Sequence, residues 1–278
     1  MKHETSTIDT ADGQQLFFQA WLPDDSPKAI IIFSHGIGEH SGRYAHVGQA
    51  LADHGYGLCM ADLRGHGQSS GKRGHINKWS ELRDDFAMIG SMTCDRYPGV
   101  PAFAGGHSLG GLLALNEAIS AANGYTGIIA SSAGLGLAFV PPQWKVALAK
   151  MLSNLTPTLT MSNELNPEWL SRDRAVVEAY RSDPLVHDRI TARFFVEFTK
   201  AQIETLAGAE NLTLPLYLIG GKEDQLTSIG TIAAFYEAAG STDKTLNIYE
   251  GLYHEVFNAP EKETVIGDLI DWLDQHLD

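Results

Sequence analysis

Short apolar runs alternate with longer amphipathic stretches along most of this chain, and that alternation limits the fold more than any single residue does. Ala29–Phe33 reads AIIIF, apolar without a break, the pattern of a strand buried on both faces. Leu16–Trp21, Tyr56–Ala61, Ala102–Gly105, Gly127–Ala130, Leu214–Ile219 and Thr245–Tyr249 read as further strands, the first entered from a turn at Asp12-Gly13. Helical patterns separate them: Tyr44–Asp53 ending at Gly55, Ser80–Tyr97 with Leu82, Phe86 and Ile89 on one face, and Leu109–Ala121. Ile229, Ile232 and Tyr236 mark another helix. A closing one, opened by Pro260, carries Val265, Ile266, Leu269, Ile270 and Leu273 in one stripe. Strands joined through helices pair in parallel and need cover on both faces. The expected fold is α/β, with a mostly parallel central sheet.

The rhythm breaks once. From 133 to 213 no run reads as a buried strand, and an ordinary crossover needs far less chain. Helical patterns fill the interval: Trp144, Leu148, Met151 and Leu155; Val176, Val177 and Tyr180; Ile190, Phe194 and Phe198. Residues 1–132 and 214–278 are therefore expected to form the core, with 133–213 inserted as a helical cap over the carboxyl edge of the sheet. Several ordinary crossover helices around one unrecognised strand is the plainer alternative. At 278 residues the chain can bury a full core without staples. Its two cysteines, Cys59 and Cys94, fall in an apolar strand and a helix and read as ordinary thiols.

The strongest chemical signal is GGHSLGG, Gly105–Gly111. Gly106-His107-Ser108-Leu109-Gly110 matches G-x-S-x-G and lies where a short strand hands over to a helix, the context the motif requires. A serine in such a strained turn presents its hydroxyl clear of the backbone. The residues two before and two after it are pressed together, which small Gly106 and Gly110 allow.

A serine hydroxyl is a poor nucleophile without a base, and the base needs a carboxylate to orient it. On this architecture the chain order is Ser, then Asp or Glu, then His. Only His187, His254 and His276 follow Ser108. His276 lies near the end of the terminal helix and reads as solvated; His187 sits in the cap and reads as a packing or capping residue. His254 follows the last strand by a short loop, EGLYH, where the base belongs. The acid falls in GGKEDQLTS, after the strand before it: Asp224 is favoured and its neighbour Glu223 is the rival. Asp243 precedes the last strand, at the wrong end of the sheet. For the oxyanion hole, the backbone N–H of Leu109 supplies one donor. That of Ile37, in the loop after the AIIIF strand, supplies the other.

These segments together resemble the monoacylglycerol lipase and lysophospholipase group of α/β-hydrolases. The likeness rests on HGIGEHSGRY (His35–Tyr44), DLRGHGQSSGKRGH (Asp62–His75), GGHSLGG, SRDRAVVEAYRSDPLVH (Ser171–His187) and DKTLNIYEGLYHE (Asp243–Glu255), in that order along almost the whole chain. The resemblance implies an eight-stranded α/β-hydrolase sheet with a cap, Ser108, Asp224 and His254 as the triad, and hydrolysis of carboxylic esters of glycerol without a cofactor. The family often has alanine, methionine or leucine where Ile37 stands, a departure that touches pocket shape more than chemistry.

Trp144, Leu148, Met151, Phe194 and Phe198 are candidate substrate-binding residues, an acyl-chain tunnel with a face that touches lipid transiently; packing on the sheet is the simpler reading of each. A carboxylesterase, lysophospholipase or thioesterase would share the triad, an acyltransferase would share the acyl-enzyme, and a non-enzymatic binding protein is the alternative of a different class. Other partners are narrowed by charge. With 20 basic and 34 acidic residues the formal net charge is −14, which repels nucleic acid and anionic lipid heads. The histidines do not pair at zinc-site spacing, so no metal is expected; Glu39, His40, Arg43, Arg64 and His66 read as polar braces of loops near the site. The opening MKHETSTIDTADGQQ has neither the apolar stretch nor the cleavage site of a secretory signal, and a cytoplasmic setting is expected.

Overall fold

The AIIIF run becomes β3 in the middle of an eight-stranded sheet. The computed structural model describes residues 1–121 and 124–277. In chain order it runs β1 (Lys2–Asp9), β2 (Gln15–Leu22), β3 (Ala29–Ser34), α1 (Ala45–Asp53), β4 (Tyr56–Ala61), α2 (Ser80–Arg96), β5 (Ala102–His107), α3 (Leu109–Ser120) and β6 (Gly127–Ser131). Then come α4 (Gln143–Leu155), β7 (Thr160–Ser162), α5 (Arg174–Ser182), β8 (Arg189–Thr191) and α6 (Ala192–Ala207). The chain closes with β9 (Leu216–Gly221), α7 (Ile229–Ala238), β10 (Lys244–Tyr249) and α8 (Lys262–Asp274). The sheet order is β1-β2-β4-β3-β5-β6-β9-β10. β1 and β2 pair antiparallel, as do β2 and β4, while every pairing from β4 through β10 is parallel.

Side chains along β3 alternate between two apolar layers, which explains its unbroken apolar sequence. Ile30 and Ile32 join Leu82 and Phe86 of α2, Leu112 of α3 and Phe235 of α7. Ile31 and Phe33 join Val47 and Leu51 of α1 and Val265, Leu269 and Trp272 of α8 on the other face. Of the strands in the main sheet, the first is the one without a sequence signal. β1 is an edge strand whose residues are almost all exposed, so no apolar alternation marks it; it forms by pairing Lys2 opposite Leu22 across the Asp12-Gly13 turn. Among the described residues no helix is long and apolar enough to cross a membrane.

Between β6 and β9 lie α4, α5, α6 and a three-residue antiparallel ribbon, β7 with β8, which does not join the main sheet. The side of α4 that packs is not the expected one. Its small residues Ala149 and Ser153 are buried, while the stripe of Trp144, Leu148, Met151 and Leu155 faces outward, with Trp144 64% and Leu155 71% exposed.

Candidate active site

β5 ends at His107 and α3 begins at Leu109, so Ser108 is the whole connection. Its backbone sits at φ 54°, ψ −113°, a conformation disfavoured for a residue with a Cβ. Crowding enforces the flanking glycines. A Cβ at Gly106 would lie 2.2 Å from the Gly110 carbonyl carbon, and one at Gly110 would lie 2.1 Å from the Ser34 carbonyl oxygen. The Ser108 N–H donates to Ser131 O at 2.8 Å, and its carbonyl accepts from Gly134 N–H at 2.8 Å. Leu109 occupies the first turn of α3, where backbone N–H groups have no acceptor within the helix.

His254 stands in the loop after β10 and Asp224 in the loop after β9. The His254 Nδ1–H donates to Asp224 Oδ2 at 2.8 Å, which directs Nε2 away from the carboxylate. Asp224 Oδ1 accepts from the N–H groups of Leu226 (2.7 Å) and Thr227 (3.0 Å), and Oδ2 accepts from the Thr227 hydroxyl at 2.6 Å. Burial disfavours the Asp224 carboxylate, but His254 and these donors outweigh it and hold the acid below its ordinary range. Burial likewise disfavours the His254 imidazolium, and Asp224 again prevails, raising His254 above the usual histidine value. The rival carboxylate, Glu223, is exposed and accepts from Gly251 N–H at 3.0 Å.

Ser108 and His254 line one cavity with Ile37, Glu39, His107, Leu165, Leu170, Tyr180 and Glu255. No direct hydrogen bond joins the Ser108 hydroxyl to His254 among the described residues; the two side chains meet only as walls of this cavity. The His107 ring packs 4.7 Å from that of His254, and burial, aided by the charge on His254, pushes His107 down to about 4 and keeps it neutral.

One arginine joins the loop bearing Ile37 to the loop bearing His254. Arg43 donates to Glu39 Oε2 at 2.7 Å and, bidentately, to both oxygens of Glu255 at 2.6 and 2.7 Å. Glu39 Oε1 in turn accepts from Gly36 N–H at 2.6 Å and from the Tyr44 hydroxyl at 2.8 Å. Burial works against the Glu39 carboxylate, yet Arg43 holds its pKa at about 2. Arg43→Met should therefore destabilise the fold by roughly 3–5 kcal/mol near neutral pH, because two buried carboxylates lose their partner. Glu39 in the wild type contributes stability above its ordinary value that is lost as pH falls through about 2. In the variant Glu39 would instead take up a proton on acidification, so the deficit should shrink toward low pH. Urea titrations of both proteins at several pH values measure this, and a deficit that stays constant with pH would contradict it.

The structure also sorts the remaining candidates. Glu39, His40, Arg43, Arg64 and His66 are braces: Arg64 grips Asp12 and Asp85, and His40 bonds Asp183 at 2.9 Å. His187 ties the 133–213 interval to the core, with Nε2 at 3.0 Å from Gly65 O and its N–H donating to Gly38 O. His276 is half-buried rather than solvated, because its ring packs at a tilt against Trp272 and bonds Asp243 at the opposite end of the sheet. Trp144, Leu148, Met151, Phe194 and Phe198 do not line the cavity at Ser108. The first three point outward, Phe194 is 0% exposed within the core, and Phe198 packs near Trp79 and Gly134. The interval reaches the cavity through Leu165, Leu170 and Tyr180 instead. Of these only Tyr180 belongs to an amphipathic pattern. Glu255, beside His254 in sequence, offered no sign of its pairing with Arg43, 212 positions away.

This is the α/β-hydrolase architecture, with a serine at the strand-to-helix elbow and a histidine–carboxylate pair on the adjoining loops: the chain is a serine hydrolase. It belongs to the Hydrolase_4 family, serine aminopeptidase S33, which matches residues 25–261. It is 33% identical over 269 residues to the monoacylglycerol lipase of Mycolicibacterium smegmatis, covering 95% of each chain. It is 35% identical to the monoglyceride lipase of Homo sapiens, covering 95% of this chain and 88% of that one. The crystal structure of Paleococcus ferrophilus monoacylglycerol lipase superimposes with a TM-score of 0.85 at 32% identity, over 99% of this chain and 100% of that one.

Proposed function

We propose that this protein hydrolyses monoacylglycerols to glycerol and a fatty acid, with Ser108 as nucleophile, His254 as base and Asp224 as its orienting acid. The observation that carries this reading is the mixed cavity at Ser108. Apolar Ile37, Leu165 and Leu170 share it with Tyr180, His107 and the carboxylates Glu39 and Glu255, a lining suited to an acyl ester of a small polyol. His254 removes the proton from Ser108 as its oxygen attacks the ester carbonyl, and the oxyanion rests on the N–H groups of Ile37 and Leu109. The cationic His254, held by Asp224, then passes that proton to the departing glycerol oxygen, leaving an acyl-serine. Water, deprotonated by His254, attacks the acyl carbon; the acid leaves and Ser108 recovers its proton.

In this reading residues 133–213 act as the cap. The outward stripe of α4, with Phe139 and Val140 beside it, makes an exposed apolar face suited to a transient rest on a lipid surface. A net charge of −14 favours neutral or zwitterionic lipid over anionic lipid. A cytoplasmic setting remains part of the proposal.

The test is a hydrolysis screen over monoacylglycerols of short, medium and long acids, triacylglycerols, lysophospholipids, nitrophenyl esters and aminoacyl amides. Expected are fast release of glycerol from monoacylglycerols with a dependence on chain length, and little turnover of triacylglycerols. Equal rates at all chain lengths, or a preference for the amides, would overturn the lipid-ester reading.

A further inference from the structure

Ser132, the first residue after β6, has a left-handed backbone at φ 43° and is fully buried. Such a conformation favours glycine, because a Cβ there crowds the chain. What serine adds at this position is a hydroxyl, and that hydroxyl donates to the backbone carbonyl of His254 at 2.7 Å, across 122 positions of sequence. The same turn grips Ser108 from both sides: Ser131 O accepts the Ser108 N–H, and Gly134 N–H donates to the Ser108 carbonyl. The Ser132 N–H is itself anchored on Ile219 O of β9 at 2.7 Å. One four-residue turn therefore holds the backbone of the serine and the backbone of the histidine, whose side chains share a cavity without touching through a hydrogen bond.

We infer that Ser132 is a positioning residue, whose hydroxyl sets the distance between His254 and Ser108 by fixing the His254 main chain. The inference rests on the assignment of His254 as base. A strained, buried side chain persists where surrounding structure imposes it, and here the imposed feature is a tether between the two reacting loops. His254 carries the proton in both halves of the reaction, so slack in its loop acts on the chemical steps and leaves substrate binding alone.

Ser132→Gly and Ser132→Ala separate the hydroxyl from the backbone. Glycine relieves the strained φ and removes the hydroxyl, whereas alanine keeps the strain and removes the hydroxyl. Both should lower kcat on a monoacylglycerol by roughly ten- to a hundredfold, since a displacement of about 1 Å carries that penalty. KM should stay near wild type, and labelling of Ser108 by a fluorophosphonate should slow in parallel. The glycine variant should melt close to wild type, which removes misfolding as the cause. Wild-type kcat in Ser132→Gly would overturn the tether, as would loss of kcat in the glycine variant alone, or a rise in KM at constant kcat. Ser108→Ala, assayed alongside, distinguishes the failures. If it is dead while the Ser132 variants are normal, only the tether falls; if it is active, the assignment of the site falls and the tether with it.

Discussion

Replacing Ser108 by alanine should lower ester turnover by about a millionfold, the scale seen when a triad nucleophile or base is removed. The change deletes one oxygen that has no hydrogen-bond partner among the described residues, and alanine would occupy the same strained elbow that serine already tolerates. Melting should accordingly shift little, and the oxyanion donors at Ile37 and Leu109 should still bind substrate. The expected result is a folded protein with near-normal substrate affinity, no fluorophosphonate labelling and no acyl-enzyme. Wild-type turnover in the purified variant would show that the chemistry lies elsewhere. A fall in kcat that tracks a large loss of stability would mean that Gly106, Ser108 and Gly110 serve the packing of α3 on β3 rather than a reaction.

What could be read from sequence here follows the range of the forces involved. β3, the elbow and the order of Ser108, Asp224 and His254 are local patterns, so AIIIF, GGHSLGG and the loops after the last two long strands expose them directly. β1 escapes because an edge strand with both faces wet needs no apolar period; its cause is pairing with β2, which lies across a turn. Asp224 and Glu223 cannot be ranked firmly by position, since adjacent residues point opposite ways. The donors from Leu226, Thr227 and His254 converge on one and leave the other in solvent. The stripe on α4 shows the reverse error. Its spacing is that of a buried face, yet Ala149 and Ser153 are what pack, because α6 approaches on the side where side chains are small. Periodicity reports a face without saying whether protein or something else covers it. Arg43 reads as a brace, but its pairing with Glu255 and the contact of Ser132 with His254 are illegible for a third reason: each joins groups far apart in sequence, and no local pattern encodes the partner.

Asp224→Asn should lower kcat by about 10⁴-fold while leaving the fold intact, as the equivalent change does in other triads. The geometry of this acid explains why an amide of the same shape fails. Oδ1 accepts two backbone N–H groups, from Leu226 and Thr227, so the asparagine must keep its carbonyl oxygen there. Its NH2 then faces His254 Nδ1, and two donors cannot share one bond. The imidazole responds by accepting at Nδ1 and moving its proton to Nε2, the atom that should receive the proton of Ser108. The variant also loses the carboxylate that raises His254, so the pH dependence should move as well. In the wild type the base form is lost on acidification at a pH above the ordinary histidine value; in Asp224→Asn the acid limb of kcat/KM should shift downward, leaving a residual activity that persists to lower pH. Glu223→Gln is the control one residue away, and it should keep both the rate and the acid limb of the wild type. Steady-state pH profiles of the three proteins decide the matter. Activity in Asp224→Asn within tenfold of wild type, or an acid limb that stays in place, would remove Asp224 from the relay, and a large loss in Glu223→Gln would hand its role to the neighbour.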